Sequence, residues 1–124
     1  MLDIRFYSTN GCHPITVDVS ENFYHWLSQS EFSKIGISNP HKMKFDCDEV
    51  WLNLVDLNQD NMTNRQRFKN FLVDNFVDET DKLLLQLSET SLPEDFYEKT
   101  YRLRKLQELR KYIEDPSYHY LERF

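Results

Sequence analysis

Cys12, His13, His41 and Cys47 are the side chains that could hold a soft metal or act as a nucleophile with its base. Structural zinc sites need ligands at short spacings, such as two cysteines separated by two residues or two histidines separated by three. None of these four pairs in that way. Cys12 and His13 are neighbours in sequence, so their side chains point apart, whereas catalytic partners meet through the fold. His25 beside Trp26, and His119 between Tyr118 and Tyr120, would serve as general bases only with a carboxylate or substrate fixed beside them. Gly11 and Gly36 are the two glycines and lie far apart, which excludes the glycine-rich phosphate loops of the common nucleotide folds. No cofactor is expected.

The sharpest local pattern is Asp56-Leu57-Asn58-Gln59-Asp60-Asn61. It places oxygen side chains at the first, third and fifth positions, as the start of an EF-hand calcium loop does. The pattern then fails: the sixth position, which needs a sharp turn, is Asn61, and the twelfth, which needs a bidentate Glu, is the cation Arg67. A polar turn whose Asn and Asp side chains bond the backbone is the expectation, and no metal site is assigned.

Charge says more than any motif. The chain carries 21 acidic and 15 basic residues, a net charge of -6 and a pI near 5.1, and the imbalance is local. Residues 46–98 hold thirteen acids against four bases, whereas residues 1–45 are balanced and residues 99–124 hold seven bases against four acids. Such a field repels nucleic acid and speeds encounter with basic proteins. Acids at helix starts and turns also cap and solubilise. The candidate partner-binding residues are the acids Asp46, Asp48, Glu49, Asp56 and Asp60, the acids Asp74, Asp78, Glu79 and Asp81, and Trp51 as an aromatic anchor.

Lys99, Arg102, Arg104, Lys105, Arg110 and Lys111 form a basic run. They do not share one helical face, and acids four residues away, as in Asp95-Lys99 and Glu98-Arg102, suit self-pairing. A solvated helix is expected there, with no nucleic acid bound. Aromatic residues reach 15% of the chain, more than inward faces require, and interfaces favour Tyr and Trp. The tail from Ser117 to Phe124 is expected to dock back on the body.

These groups must be positioned by recognisable elements. Leu2, Ile4 and Phe6 alternate with polar neighbours, as do Ile15, Val17 and Val19, and Asn10-Gly11 between them suits a hairpin turn. Ser20 caps a helix bearing Phe23, Trp26 and Leu27, with Gly36 as its stop. Met43 and Phe45 alternate with lysines and could form a short third strand. Val50, Trp51, Leu54 and Val55 follow the acids Asp46, Asp48 and Glu49 at helical spacing, although a strand remains an alternative. Thr63 with Gln66 makes a capping box for a helix carrying Phe68, Phe71, Leu72 and Phe76 inward, with a pause at Asp78–Asp81 before Leu83, Leu84 and Leu87 continue that apolar face. Ser91 with Glu94 makes a second box around Pro93, opening a helix with Phe96, Leu103, Leu106, Leu109 and Ile113 inward that runs to Asp115-Pro116.

The expected class is α+β: an N-terminal antiparallel hairpin, with room for a third short strand, packed on three to five helices as one domain over residues 1–124. The N-terminus lacks the basic and apolar regions of a signal peptide, and no apolar run approaches the ~20 residues of a membrane span. A cytoplasmic location with reduced thiols follows, and no membrane partner is expected. The absence of alanine and the wealth of Asn, Phe, Tyr and Lys suit an AT-rich gene of mobile or phage origin. The functional expectation is an inhibitor or immunity-type protein that covers a basic partner, such as a nuclease toxin or a DNA-binding defence protein. The alternative is a small enzyme or ligand-binding domain built from His13, His25 or Cys47. No oligomeric state is specified.

Overall fold

The computed structural model describes residues 2–9, 13–45, 48–58, 63–87, 97 and 100–123. The chain is α+β. Its elements run β1 (Leu2–Tyr7), β2 (Ile15–Val19), α1 (Glu21–Gln29), a 3-10 turn (Glu31–Lys34), β3 (Asn39–Phe45), β4 (Asp48–Asp56), α2 (Asn64–Leu87), α3 (Tyr101–Glu114) and β5 (Tyr120–Glu122). The strands form one antiparallel sheet in the order β2-β1-β5-β4-β3. The N-terminal hairpin is therefore part of a five-stranded sheet. Three α-helices are present among the described residues, and the second capping box, at Ser91 and Glu94, falls outside them.

Alternation in β1 and β2 sends Ile4, Phe6, Val17 and Val19 to one face, where all four are fully buried. They meet Phe23 and Leu27 of α1, Phe68 and Leu72 of α2, and Leu106, Leu109 and Ile113 of α3. Burying an apolar side chain of this size is worth about 1.5–3 kcal/mol, so this shared cluster is what joins helices to sheet. Ser20 caps α1 as its sequence predicts, its Oγ accepting the Phe23 amide at 3.2 Å. The helix stops before Gly36, at Ser30, whose Oγ donates to Leu27 O at 2.7 Å and accepts the Phe32 amide at 3.3 Å.

Residues 48–56 are a strand, so the helical reading of Val50, Trp51, Leu54 and Val55 is corrected. β3 pairs with β4 along Asn39↔Leu54 to Phe45↔Asp48, whereas β5 reaches β4 only at Val55 and Asp56. The β3–β4 ribbon thus projects past the rest of the sheet. One of its faces carries Met43, Phe45, Leu52 and Leu54, which cluster with Tyr7 and Tyr120 on the sheet side away from the helices. The Phe45 and Tyr7 rings lie 5.9 Å apart, and His41 lies 4.7 Å from Tyr120. A lone ribbon is marginal in water, and this second small core is what holds it.

β5 is the tail of the molecule turned into its middle strand. The Tyr7 hydroxyl donates to Glu122 Oε1 at 2.9 Å, and Arg65 donates from α2 to the carbonyls of Ile113, Asp115 and Tyr118. Those carbonyls belong to the end of α3 and the turn after it, so Arg65 aims the chain into β5.

One pairing on the uncovered face opposes the fold. Asp3 lies directly across from Asp18, and like charges so placed are destabilising. Their hydrogen bond holds the Asp18 carboxyl above its usual range. An acid raised in the folded state favours folding at low pH and loses that contribution as pH rises through its folded pKa. Asp18→Asn keeps the neutral pairing at every pH. Thermal melts should therefore show variant and wild type alike below pH 3.8, with the variant the more stable at pH 7.

Candidate functional site

The candidate acids divide by what their side chains do. Asp56 accepts the Asn58 amide at 2.9 Å, the turn chemistry expected of that segment. Glu79 is held by Arg102 at 3.1 Å and Lys82 at 3.9 Å, with only 17% of its side chain exposed. These two serve the fold. Asp46 and Asp60 lie outside the described residues.

Three of the remaining acids converge. α2 is one unbroken helix of 24 residues, roughly 36 Å long at 1.5 Å per residue, with no pause at Asp78–Asp81. Phe68 and Leu72 mark its buried side. At 100° per residue, Asp74 and Asp81 fall opposite them and Asp78 on the flank, and all three are exposed. Val77 and Leu84 share this outer face at 53% and 61% exposure. Leu84 therefore faces out, contrary to its inward assignment from sequence. Among the described residues only Asp78 of the three has an ion-pair partner, Lys82 at 3.2 Å. The result is an acidic stripe with exposed apolar side chains beside it.

Asp48, Glu49 and Trp51 sit elsewhere, on the projecting ribbon. Glu49 pairs with Lys42 at 2.7 Å. Trp51 stands opposite Lys42, on the ribbon face turned away from the small core, and is 67% exposed. Lys42, Lys44 and Glu49 make this surface mixed in charge, whereas Asp48 lies on the other face, across from Phe45. Trp51→Ser should change unfolding free energy by less than about 0.5 kcal/mol, as exposed substitutions do, and chemical denaturation checks it.

A trough runs between α1 with its 3-10 turn and α2, enclosing about 650 Å³. Its floor is Trp26, Phe71 and Ile35. Gln29, Asn70, Asn75, Glu31, Arg67 and Asp74 line its walls. Asp74 thus belongs both to the trough and to the acidic stripe. The trough was not legible in sequence, because its two walls are some forty residues apart and nothing in either announces the other.

The histidines do not gather. His13 and His25 are exposed on separate elements, and His119 Nδ1 accepts the Thr9 amide at 3.2 Å. Cys12 and Cys47 lie outside the described residues. No cluster of three or more metal-binding side chains occurs among the described residues. The basic run on α3 is largely self-paired. Lys105 meets Glu108, Arg110 meets Glu114, and Arg104 lies over the Tyr97 ring at 4.2 Å. Arg102 pairs with Glu79 and covers Trp26 at 4.6 Å.

No described helix is long and apolar enough to cross a membrane. No family model matches the chain, and neither a curated protein nor a solved structure matches it at a significant level.

Proposed function

We propose that this chain is an acidic protein-binding module, an inhibitor or immunity-type protein that covers the functional surface of a basic partner such as a nuclease or another nucleic-acid-binding protein. The outer side of α2 carries this reading: Asp74, Asp78 and Asp81 run along it, with Val77 and Leu84 exposed beside them. Acids on a rigid helix steer a basic surface into register and pair with its Lys and Arg, and apolar side chains beside them supply the area that excludes water. Occlusion needs no chemistry from this chain. Trp51 on the ribbon would add a second anchor for a broad partner.

The test is capture of a partner by wild type and by an Asp74→Lys, Asp78→Lys, Asp81→Lys variant, at low and high salt, with partners identified by mass spectrometry. The expected result is a one-to-one basic partner, held less tightly as salt shortens the Debye length. The triple reversal should weaken it by about 100-fold, with circular dichroism unchanged. A partner that binds both forms equally, or no stoichiometric partner at either salt, overturns the reading.

A further inference from the structure

We infer that the trough between α1 and α2 is the anchor site for an extended, arginine-bearing segment of the partner; this rests on the protein-binding reading above. Three features of the trough choose this occupant. The first is its floor. Trp26, one face of which Arg102 already covers, and Phe71, with ring centroids 6.2 Å apart, offer together with Ile35 an apolar bed for the aliphatic stem of one side chain.

The second is the spare hydrogen-bonding capacity of the walls. Asn75 Nδ2 donates to Phe71 O at 2.9 Å, leaving its Oδ1 to accept. Asn70 Oδ1 accepts from Gln66 at 2.9 Å, leaving its Nδ2 to donate. Gln29 makes no side-chain hydrogen bond among the described residues. Carboxamides offering both donors and acceptors match a peptide backbone, whose N–H and C=O alternate along an extended strand.

The third is charge. Asp74 lies on the trough wall without an ion-pair partner among the described residues, and Glu31, exposed on the opposite wall, has only the i,i+3 contact to Lys34 at 3.4 Å. Arg67 is the one cation of the lining. It precedes Asp74 by two turns of α2, and its side-chain contact to Asn64 Oδ1 is a long one, 3.5 Å. The lining thus carries two carboxylates against one cation, with Arg67 and Asp74 two turns apart along α2. A segment lies with its arginine against Asp74 and a backbone carbonyl toward Arg67. Because Asp74 also belongs to the stripe, a segment seated here is continuous with a partner surface lying along α2.

The experiment uses Trp26 as reporter. The chain has two tryptophans, so a Trp51→Phe background leaves Trp26 alone to fluoresce. The probes are acetyl-Gly-Arg-Leu-Arg-Gly-amide and its glutamate counterpart, acetyl-Gly-Glu-Leu-Glu-Gly-amide. The arginine peptide should change Trp26 emission saturably and shift the side-chain amide NMR signals of Gln29, Asn70 and Asn75, and the glutamate peptide should do neither. Asp74→Asn should weaken binding at least about fivefold, whereas Glu108→Gln on α3, outside both the trough and the acidic stripe, should change it less than twofold. No saturable response, an equal response to both peptides, or indifference to Asp74→Asn overturns the inference. If the peptide fails while triple reversal on α2 still abolishes partner capture, this inference falls and the binding module stands. If the peptide binds but no partner is found, the site stands without the proposed function.

Discussion

Arg123→Ala is expected to cost about 3 kcal/mol of unfolding free energy and to lower the thermal midpoint by roughly 10 °C. Arg123 follows the last strand, and its guanidinium reaches under the sheet to the turn after α1. Nη1 donates to Phe32 O and Nη2 to Gly36 O at 3.2 Å, and the group lies 5.5 Å from the centre of the Phe68 ring. Burial pushes its pKa down to about 10, so the charge is held there at a cost. That cost does not make the residue dispensable. Removing the side chain leaves two carbonyls without their donor and a space beside Phe68, and both penalties exceed the desolvation recovered. Arg123→Lys should also destabilise, by about 1–2 kcal/mol, because a single ammonium cannot fork to two carbonyls. Urea denaturation of both variants measures this; wild-type stability in the alanine form would show that the clamp carries no load.

Gly36→Ala is the second large effect, expected at about 3 kcal/mol. Gly36 has φ of 66°, a conformation that costs an L-residue roughly 1–2 kcal/mol. An added Cβ would lie 2.7 Å from Asn64 Nδ2 and 2.8 Å from Val55 Cγ1. Neither neighbour can yield cheaply. Asn64 is fully buried and its Nδ2 donates to Asp56 O at 2.9 Å, and Val55 is fully buried in the main core. A shift of Asn64 would break the bond that fixes the turn between β4 and α2. Because Gly36 O also accepts from Arg123, the two substitutions should be less than additive when combined, and a double-mutant cycle reads that coupling directly.

How far the fold could be read in advance depended on whether each signal was local. The β1–β2 alternation, the Ser20 cap and the start of α2 at Thr63, whose Oγ1 accepts the Gln66 amide at 3.2 Å, are decided within a few residues and were legible. Residues 48–56 were not, because both faces of β4 bear apolar side chains. Leu52 and Leu54 serve the small core, Val55 serves the large one, and Trp51 serves neither. Together they mimic a helical spacing that no second layer contradicts from sequence alone. β5 was hidden for a different reason: three residues carry no periodicity, and their partners lie far off in sequence, about 115 positions away in β1 and about 65 in β4. The acidic stripe was half legible. The acids were identified, but Glu79 and Asp56 separate from Asp74, Asp78 and Asp81 only once Arg102 and the Asn58 amide are seen to occupy them.

The central place of β5 governs the order in which the molecule can be made. Synthesis delivers β1 first and the strand beside it last, so the two hairpins, both complete by residue 56, have no common sheet to join until residues 120–122 emerge. Contacts so distant in sequence slow folding, because loop closure must precede any reward from pairing. Until residues 120–122 are made, the chain exposes two open strand edges, at β1 and β4, that β5 closes. Expression at high concentration should therefore reward slow translation or low temperature, conditions that let β5 dock before neighbouring chains reach those edges.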